Sequence, residues 1–261
     1  MSKVVLLTGG SKGIGYAAAK AFVEKGCRIY EISRHEVPNP GVFHITGDVT
    51  DPVSVESAVQ SVIAREGQLD VLVCNAGTIL SGAIEFIETD EVRKLLELNI
   101  FGVINCVRAV LPHMRNAGTG RIVCLSSMAA PFPIPFQAYY SVSKVGISAF
   151  ASALHNEVKS FGISVCCVMP GDTNSDQVRL KAHQGDDVYG GKISRSVTIM
   201  EKDEKNGMTP EYVGQIISKI ALKKRVKPFY AIGFMSKTEM FLKRIVTESF
   251  AQKIIGMMYV K

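Results

Sequence analysis

Tyr140 and Lys144 lie four residues apart in a stretch with helical character, directly after a loop rich in proline and phenylalanine at residues 131–137. Residues four apart share one face of a helix, so the phenol and the ammonium would be neighbours near the helix N-terminus. A neighbouring ammonium and the positive end of a helix dipole both favour the phenolate, and we therefore expect a lowered Tyr140 pKa. Such a tyrosine can give a proton to a carbonyl oxygen or take one from an alcohol.

Ser127 follows an apolar run at residues 121–125 that predicts a strand. A hydroxyl at the carboxyl end of that strand is well placed to hydrogen-bond the same substrate oxygen. A Tyr-x-x-x-Lys spacing by itself usually marks an ordinary helix face, so the interpretation depends on the elements around it.

A glycine-rich turn separates the first predicted strand, residues 4–8, from a run of strong helix formers that ends at Gly26. Strand, glycine turn and helix together are typical of a dinucleotide site. The glycines let a diphosphate approach backbone N–H groups, and the helix N-terminus adds a favourable dipole. The candidate cofactor residues in this turn are Gly9, Ser11, Lys12, Gly13, Ile14 and Gly15.

The second predicted strand, residues 27–34, ends in Ser33 and Arg34. A site specific for NAD usually has an acidic residue there to bind the ribose 2′-hydroxyl. Arg34 and Lys12 instead supply two cations, which suit a 2′-phosphate and favour NADP(H) over NAD(H). The alternative is that both are solvated surface cations.

Further candidate residues follow other predicted strands or interrupt a predicted helix. Asp48 comes after a short strand at residues 42–46 and could reach an adenine amino group. Asn99 lies in the middle of a helical run at residues 90–116, where asparagine is unfavourable, so we expect it to have a specific partner. The other cofactor candidates at strand ends are Val49, Asn75, Ala76, Gly77, Pro170, Gly171 and Thr173.

The alternation of strands and helices predicts a single α/β domain over residues 1–261. We expect a Rossmann-like, doubly wound parallel sheet of about seven strands, with helices on both faces and a C-terminal helical extension. Residues 174–208 are polar and weakly periodic, which suggests a substrate lid. Residues 237–261 predict one basic amphipathic helix, for which packing on the core or a subunit is favoured over peripheral membrane contact. The apolar lid residues are Val188, Tyr189, Ile193, Val197, Ile199 and Met200.

Composition argues against several other classes of protein. The chain has no apolar run of the ~18 residues that a membrane helix needs and no secretory signal pattern, so we expect a cytoplasmic protein. Six cysteines without a Cys-x-x-Cys pair and five scattered histidines predict reduced core cysteines and no metal site. A net charge of +6 without a nucleic-acid motif predicts no nucleic-acid partner.

Taken together, these residues resemble the short-chain dehydrogenase/reductase family over residues 1–232. The resemblance implies that Tyr140 is the general acid/base and that Ser127 holds the substrate oxygen. It implies that Lys144 lowers the Tyr140 pKa and binds the nicotinamide ribose, and that Asn99 holds a water that relays protons. It also implies a homodimer or homotetramer. The matching motifs are Thr8-Gly-Gly-Ser-Lys-Gly-Ile-Gly15, Asp48-Val49, Asn75-Ala-Gly77, Asn99, Ser127, Tyr140-x-x-x-Lys144 and Pro170-Gly171. Cys74 departs from the second asparagine that many members have before Asn75.

The resemblance implies an oxidoreductase that interconverts a carbonyl and a secondary alcohol by hydride transfer, and Lys12 and Arg34 favour NADP(H) as its cofactor. The apolar residues near Tyr140 and in the lid favour a lipophilic small-molecule ketone, such as a steroid, a retinoid or a sphingoid base. One alternative is a non-enzymatic NADP(H)-binding sensor, although such proteins often lose the tyrosine or serine. Another is a nucleotide-sugar epimerase or dehydratase, which has a longer chain and a Gly-x-x-Gly-x-x-Gly turn.

Overall fold

The computed structural model describes residues 2–175, 179–182 and 184–260. Within these ranges seven parallel strands form one sheet in the order β3-β2-β1-β4-β6-β7-β9. The chain order reverses between β1 and β4, which opens a crevice at the carboxyl ends of the strands. The predicted doubly wound parallel sheet is confirmed. Its strands are β1 (Val4–Thr8), β2 (Arg28–Ser33), β3 (Val42–Thr46), β4 (Val71–Cys74), β6 (Gly120–Leu125), β7 (Ile163–Pro170) and β9 (Phe229–Ile232); β5 (Ile79–Ser81) and β8 (Arg179–Lys181) pair with each other.

Helices cover both faces of the sheet. Proline residues start α2 and α7, each behind a capping side chain, because proline needs no N–H partner in the first turn. A π-helical turn, Glu97–Phe101, joins α3 to α4. The helices are α1 (Gly13–Glu24), α2 (Pro52–Glu66), α3 (Thr89–Leu96), α4 (Gly102–Ala117), α5 (Ala138–Glu157), α6 (Lys192–Lys205), α7 (Pro210–Ala221), α8 (Phe234–Leu242) and α9 (Glu248–Tyr259).

The core consists of two apolar layers, one on each side of the sheet. The layer beneath α2, α4 and α5 includes Val59, Val110 and Ile147. The layer beneath α1 and α7 includes Phe22 and Val213. Because both faces are covered, the central strands are continuous apolar runs rather than alternating ones.

The segment Thr89–Ala117 is long and apolar enough to cross a membrane, with 29 residues and a hydropathy of 1.5. However, 44% of its most apolar 18-residue stretch is buried inside the protein, where α4 packs against α2 and the sheet. We therefore assign this segment to the core.

Two predicted segments contain elements that the sequence did not indicate. The predicted lid, residues 174–208, contains β8 and α6, although its residues 176–178 and 183 lie outside the described part. The single helix predicted over residues 237–261 is wrong, because α8 and α9 are separate helices. The Thr247 hydroxyl accepts a 3.3 Å hydrogen bond from the Phe250 N–H and so caps the start of α9. Residue 261 lies outside the described range.

Candidate active site

The glycine turn between β1 and α1 is shaped by close backbone contacts. A Cβ atom at Gly15 would lie 2.1 Å from the Gly9 carbonyl oxygen, so only glycine fits there. Gly13 has a φ of 53°, in the left-handed region that favours glycine. The turn therefore brings the N-terminus of α1 close to the end of β1, where its N–H groups can bind a diphosphate.

Asn75 and Thr8 hold this turn in place. The Asn75 side-chain amide donates hydrogen bonds to the carbonyl oxygens of Thr8, at 2.9 Å, and Gly9, at 3.0 Å. The Thr8 hydroxyl in turn accepts 3.0 Å hydrogen bonds from the backbone N–H groups of Asn75 and Ala76. The Asn75 side chain therefore supports the turn, and Ala76 belongs to the same network.

Lys12 and Arg34 lie exposed at the rim of the site, and neither forms an ion pair with any residue that the structure describes. Glu31 is buried in β2 and was missed by sequence reasoning. Its carboxylate accepts a 3.1 Å hydrogen bond from the Gly10 N–H and contacts the His44 ring. An acidic residue inside an otherwise apolar strand was the signal that could have identified it. Glu31 thus stabilises the turn from below, while the two cations remain available.

Asp48 stands at the other side of this rim, after β3. One of its carboxylate oxygens accepts hydrogen bonds from the Thr50 N–H, at 2.9 Å, and the Thr50 hydroxyl, at 2.8 Å. The Asp48 N–H donates to the Ser54 hydroxyl at 3.0 Å. These bonds fix the Asp48 side chain at the cavity wall, beside Val49.

Tyr140 is buried at the centre of the site. Burial raises its pKa to about 12, and a side-chain hydrogen bond with Ser127 opposes that rise. The expected net lowering of the Tyr140 pKa is wrong in this structure, because burial disfavours the phenolate and outweighs the hydrogen bond with Ser127. Burial also lowers the Lys144 pKa to about 8. The Lys144 ammonium lies 5.6 Å from the centre of the Tyr140 ring and donates a 3.1 Å hydrogen bond to the Leu125 carbonyl.

Hydrogen bonds also tie α5 to the end of β6. The Ser126 hydroxyl donates to the Lys144 carbonyl at 2.8 Å, and the Ser148 hydroxyl donates to Ser126 at 2.9 Å. Because Ser127 directly follows Ser126, these two hydrogen bonds help to fix the position of the Ser127 hydroxyl relative to Tyr140.

Asn99 lies in the π-helical turn and has the specific partners expected for it. Its amide donates to the Thr78 carbonyl at 2.9 Å and to the Ser143 hydroxyl at 3.0 Å, and its oxygen accepts a 2.9 Å bond from the Thr78 N–H. π-Helical turns occur often at functional sites. Asn99 lies behind the wall of the site, where it holds α5 and the chain after β4 together.

One cavity of about 1990 Å³ joins these parts. Every predicted cofactor residue lines it, and so does the Ser127–Tyr140–Lys144 group, whereas Asn99 does not. Of the apolar residues predicted to form the lid wall, Met200 lines the cavity. Ile193 and Val197 are buried elsewhere, because α6 packs beside α9.

The outer wall of the cavity comes from the C-terminal helices and from several carboxylates. Burial, reinforced by neighbouring Asp203, Glu204 and Glu239, raises the Asp172 pKa to about 6. All four carboxyl groups line the cavity. The apolar lining residues of α8, α9 and the turn between them are Phe234, Met235, Leu242, Val246, Phe250, Ala251, Ile254, Ile255 and Met258.

Arg179 and Glu204 form a partly buried ion pair beside this wall. Arg179 also donates a 2.7 Å hydrogen bond to the Ser81 hydroxyl, so it connects β8, β5 and α6. The charges of both Arg179 and Glu204 act on Tyr140. Sequence reasoning missed the pair, since it lies in the weakly periodic segment and no local pattern relates its two members.

The arrangement combines a glycine turn that can bind phosphate, a buried phenol and an apolar compartment. The glycine turn and the N-terminus of α1 fit the diphosphate of a nicotinamide dinucleotide. Tyr140, with Ser127 beside it, can exchange a proton with an oxygen bound in the cavity.

Comparisons with known proteins agree with this geometry. The family model for short chain dehydrogenases matches residues 3–185. A 3-ketodihydrosphingosine reductase of Bacteroides thetaiotaomicron is 39% identical over 228 residues, which cover 85% of this chain and 84% of the relative. The solved structure of a short-chain dehydrogenase from Streptomyces avermitilis has a TM-score of 0.84 and 28% identity, covering 94% of this chain and 93% of its own. A structure of ElxO with NADP bound has a TM-score of 0.74 and 25% identity, covering 89% and 97%.

The family model spans well over half of the chain. In this chain the glycine turn and the Ser127–Tyr140–Lys144 group line one cavity. The protein belongs to the short-chain dehydrogenase family, whose members are oxidoreductases that use a nicotinamide cofactor and act on carbonyl or alcohol substrates.

Proposed function

We propose that the protein is an NADP(H)-dependent reductase of a long-chain amino ketone resembling a sphingoid base. The observation that carries this proposal is the single cavity that runs from the glycine turn, past Tyr140, to the apolar side chains of α8 and α9. A bound nicotinamide dinucleotide would supply the hydride, and the protein would supply position and a proton.

The preference for NADP(H) rests on the rim residues. Lys12 and Arg34 are exposed cations beside the cavity. The carboxylate of Glu31 is engaged by Gly10 and His44, so it is not free to hold a ribose 2′-hydroxyl. A 2′-phosphate would therefore meet two cations and no competing free carboxylate on β2.

The state of Tyr140 supports reduction. With a pKa raised to about 12, the phenol keeps its proton at neutral pH. A protonated phenol is ready to donate to the oxygen of a ketone, which becomes an alkoxide as hydride reaches its carbon. Ser127 would hold the same oxygen, and Lys144 would hold the nicotinamide ribose.

The substrate class follows from the outer wall of the cavity. Apolar side chains of α8 and α9 suit a long alkyl chain, and three carboxylates without a hydrogen-bond or ion-pair partner in the described chain, Asp172, Asp203 and Glu239, suit an ammonium group. A sphingoid ketone carries both groups next to its carbonyl. The name of the Bacteroides relative, a 3-ketodihydrosphingosine reductase, supports the same chemistry.

The test is NADPH oxidation with a matched panel of ketones. The panel contains a long-chain 2-amino-1-hydroxy-3-ketone, the same ketone without the amine, and a short-chain amino ketone. We expect the highest kcat/KM with the first. Tyr140→Phe serves as the blank and should lose nearly all turnover while it still binds NADPH, because only the proton donor is removed. Equal turnover of all three ketones would contradict the substrate class. Tight NADPH binding without turnover of any ketone would favour the alternative that the protein is a non-enzymatic NADP(H)-binding sensor.

A further inference from the structure

The C-terminal helices expose large apolar side chains in helical register. Phe241 and Ile245, at the end of α8 and just beyond it, are 64% and 69% exposed, and Met257 on α9 is 53% exposed. Phe234 lies two helical turns before Phe241, and Phe250 and Ile254 precede Met257 at helical spacing. We name these six residues the C-terminal apolar face. Phe234, Phe250 and Ile254 line the same cavity, so exposed apolar side chains of both helices lie at one cavity wall. A group of large exposed apolar side chains of this kind on a folded protein marks an interaction site.

A cationic segment lies directly beside this face. No aspartate or glutamate occurs in residues 212–238, and six lysine or arginine residues do. Lys219, Lys223 and Lys237 line one small cleft of about 140 Å³, so the segment before β9 lies against α8. The six cations, all exposed and none in an ion pair within the described chain, are Lys219, Lys223, Lys224, Arg225, Lys227 and Lys237.

We propose that the C-terminal apolar face docks on the surface of an anionic phospholipid bilayer. Apolar side chains on two short helices would enter the boundary between headgroups and acyl chains, while the cations would contact lipid phosphates. A second copy of this chain fits less well. A twofold contact through the same face would bring each cationic segment towards the other.

Docking in this orientation brings part of the cavity wall to the lipid. Phe234, Phe250 and Ile254 belong to the apolar face and also line the cavity. A long-chain molecule could therefore pass from the bilayer into the cavity without crossing water. The docking itself does not depend on the proposed reductase function, because its evidence is the surface alone.

Sedimentation of the full-length protein with lipid vesicles tests the proposal. Vesicles of phosphatidylglycerol mixed equally with phosphatidylcholine should carry the protein down, and vesicles of phosphatidylcholine alone should bind it at least about tenfold more weakly. Phe241→Glu with Ile245→Glu should abolish binding to the anionic vesicles. Neither residue lines the cavity, so NADPH binding should persist and show that the variant is folded. The matched control is Val53→Glu, which places a charge at a 76% exposed position on α2 and should leave vesicle binding unchanged.

A second variant tests the electrostatic part. Lys224→Glu with Arg225→Glu changes two exposed cations without touching the apolar face, and should weaken binding to anionic vesicles by about tenfold or more. Three results would overturn the proposal. The first is no binding of the unmodified protein to anionic vesicles, and the second is equal binding to phosphatidylcholine alone. The third is a dimer in solution that Phe241→Glu with Ile245→Glu converts to monomers, which would assign the face to a second copy.

Discussion

The side-chain amide of Asn99 donates a 3.0 Å hydrogen bond to the hydroxyl of Ser143, which lies one residue before Lys144 on α5. The Ser143 hydroxyl itself donates a 2.7 Å bond to the Tyr140 carbonyl. Asn99 is thus connected through Ser143 to the backbone of the helix turn that carries Tyr140 and Lys144. Through these bonds a residue behind the cavity wall can influence the position of the side chains inside it.

We predict that Asn99→Ala lowers kcat by about tenfold or more. The variant removes the Asn99 hydrogen bonds to the Thr78 backbone and to Ser143 and frees the start of α5 to move, at a cost to stability of about 1–3 kcal/mol. Steady-state kinetics and urea unfolding measure the two effects. Ser143→Ala is the control that removes one of the three Asn99 hydrogen bonds, and it should lower kcat and stability by clearly less than Asn99→Ala. Equal losses in both variants would show that Asn99 acts through Ser143 alone.

Reversal of the two rim charges should switch cofactor preference. Lys12→Glu with Arg34→Asp places carboxylates where we assign the 2′-phosphate, so the Kd for NADPH should rise by about a hundredfold or more while that for NADH changes little. Fluorescence titration of both cofactors gives the ratio. The control reverses Lys20 and Lys25, two lysines of the same chain that do not line the cavity, and should leave the ratio unchanged. A persistent NADPH preference in the rim variant would refute the assignment.

The fold was predictable because most strands of the sheet are mainly apolar runs bounded by turn residues. The glycine turn could be identified for the same reason: its residues are adjacent in the chain, and Gly15 has no alternative at its position. Asn99 was identifiable because an asparagine in mid-helix needs a partner. Such signals are local, so one sequence suffices to read them.

Other features depend on contacts between distant segments. Arg179 pairs with Glu204 across 25 residues and bonds Ser81 across 98, and no spacing rule connects the three. The Tyr140 pKa was predicted in the wrong direction, because helix spacing reports the nearby ammonium but not the depth of burial. The break between α8 and α9 was missed although Thr247 is a normal capping residue, since the amphipathic pattern continues through it.

Binding of an amino ketone should strengthen as pH rises from about 5 to about 7. The Asp172 pKa is raised to about 6, so this carboxyl group is neutral below that value and gains its charge above it. A charged carboxylate attracts the substrate ammonium, and KM should fall by about fivefold over this range, as expected for about 1 kcal/mol from a partly solvated pair. The deaminated ketone is the matched control, and its KM should stay flat. A fall of the same size for both ketones would assign the titration to another group.

The ion pair between Arg179 and Glu204 should matter for both stability and the acidity of Tyr140. Arg179→Met removes the cation and the donor to Ser81, leaving Glu204 unpaired beside the cavity. Because the Glu204 side chain is 32% exposed, we expect the free energy of unfolding in urea to fall by about 1–3 kcal/mol, less than for a fully buried pair. Arg179 lowers the Tyr140 pKa and Glu204 raises it. The pH profile of kcat should therefore shift upward in Arg179→Met and downward in Glu204→Gln.

Lys181→Met is the matched control for this prediction, because it breaks the other ion pair between β8 and α6, Lys181 with Glu201. Both partners of that pair are substantially exposed, so its loss should change stability by less than about 0.5 kcal/mol and leave the pH profile unaltered. Arg179→Met combined with Glu204→Gln should recover part of the stability, since no unpaired charge remains. An unchanged pH profile in both single variants would mean that the pair only anchors α6, with no influence on Tyr140.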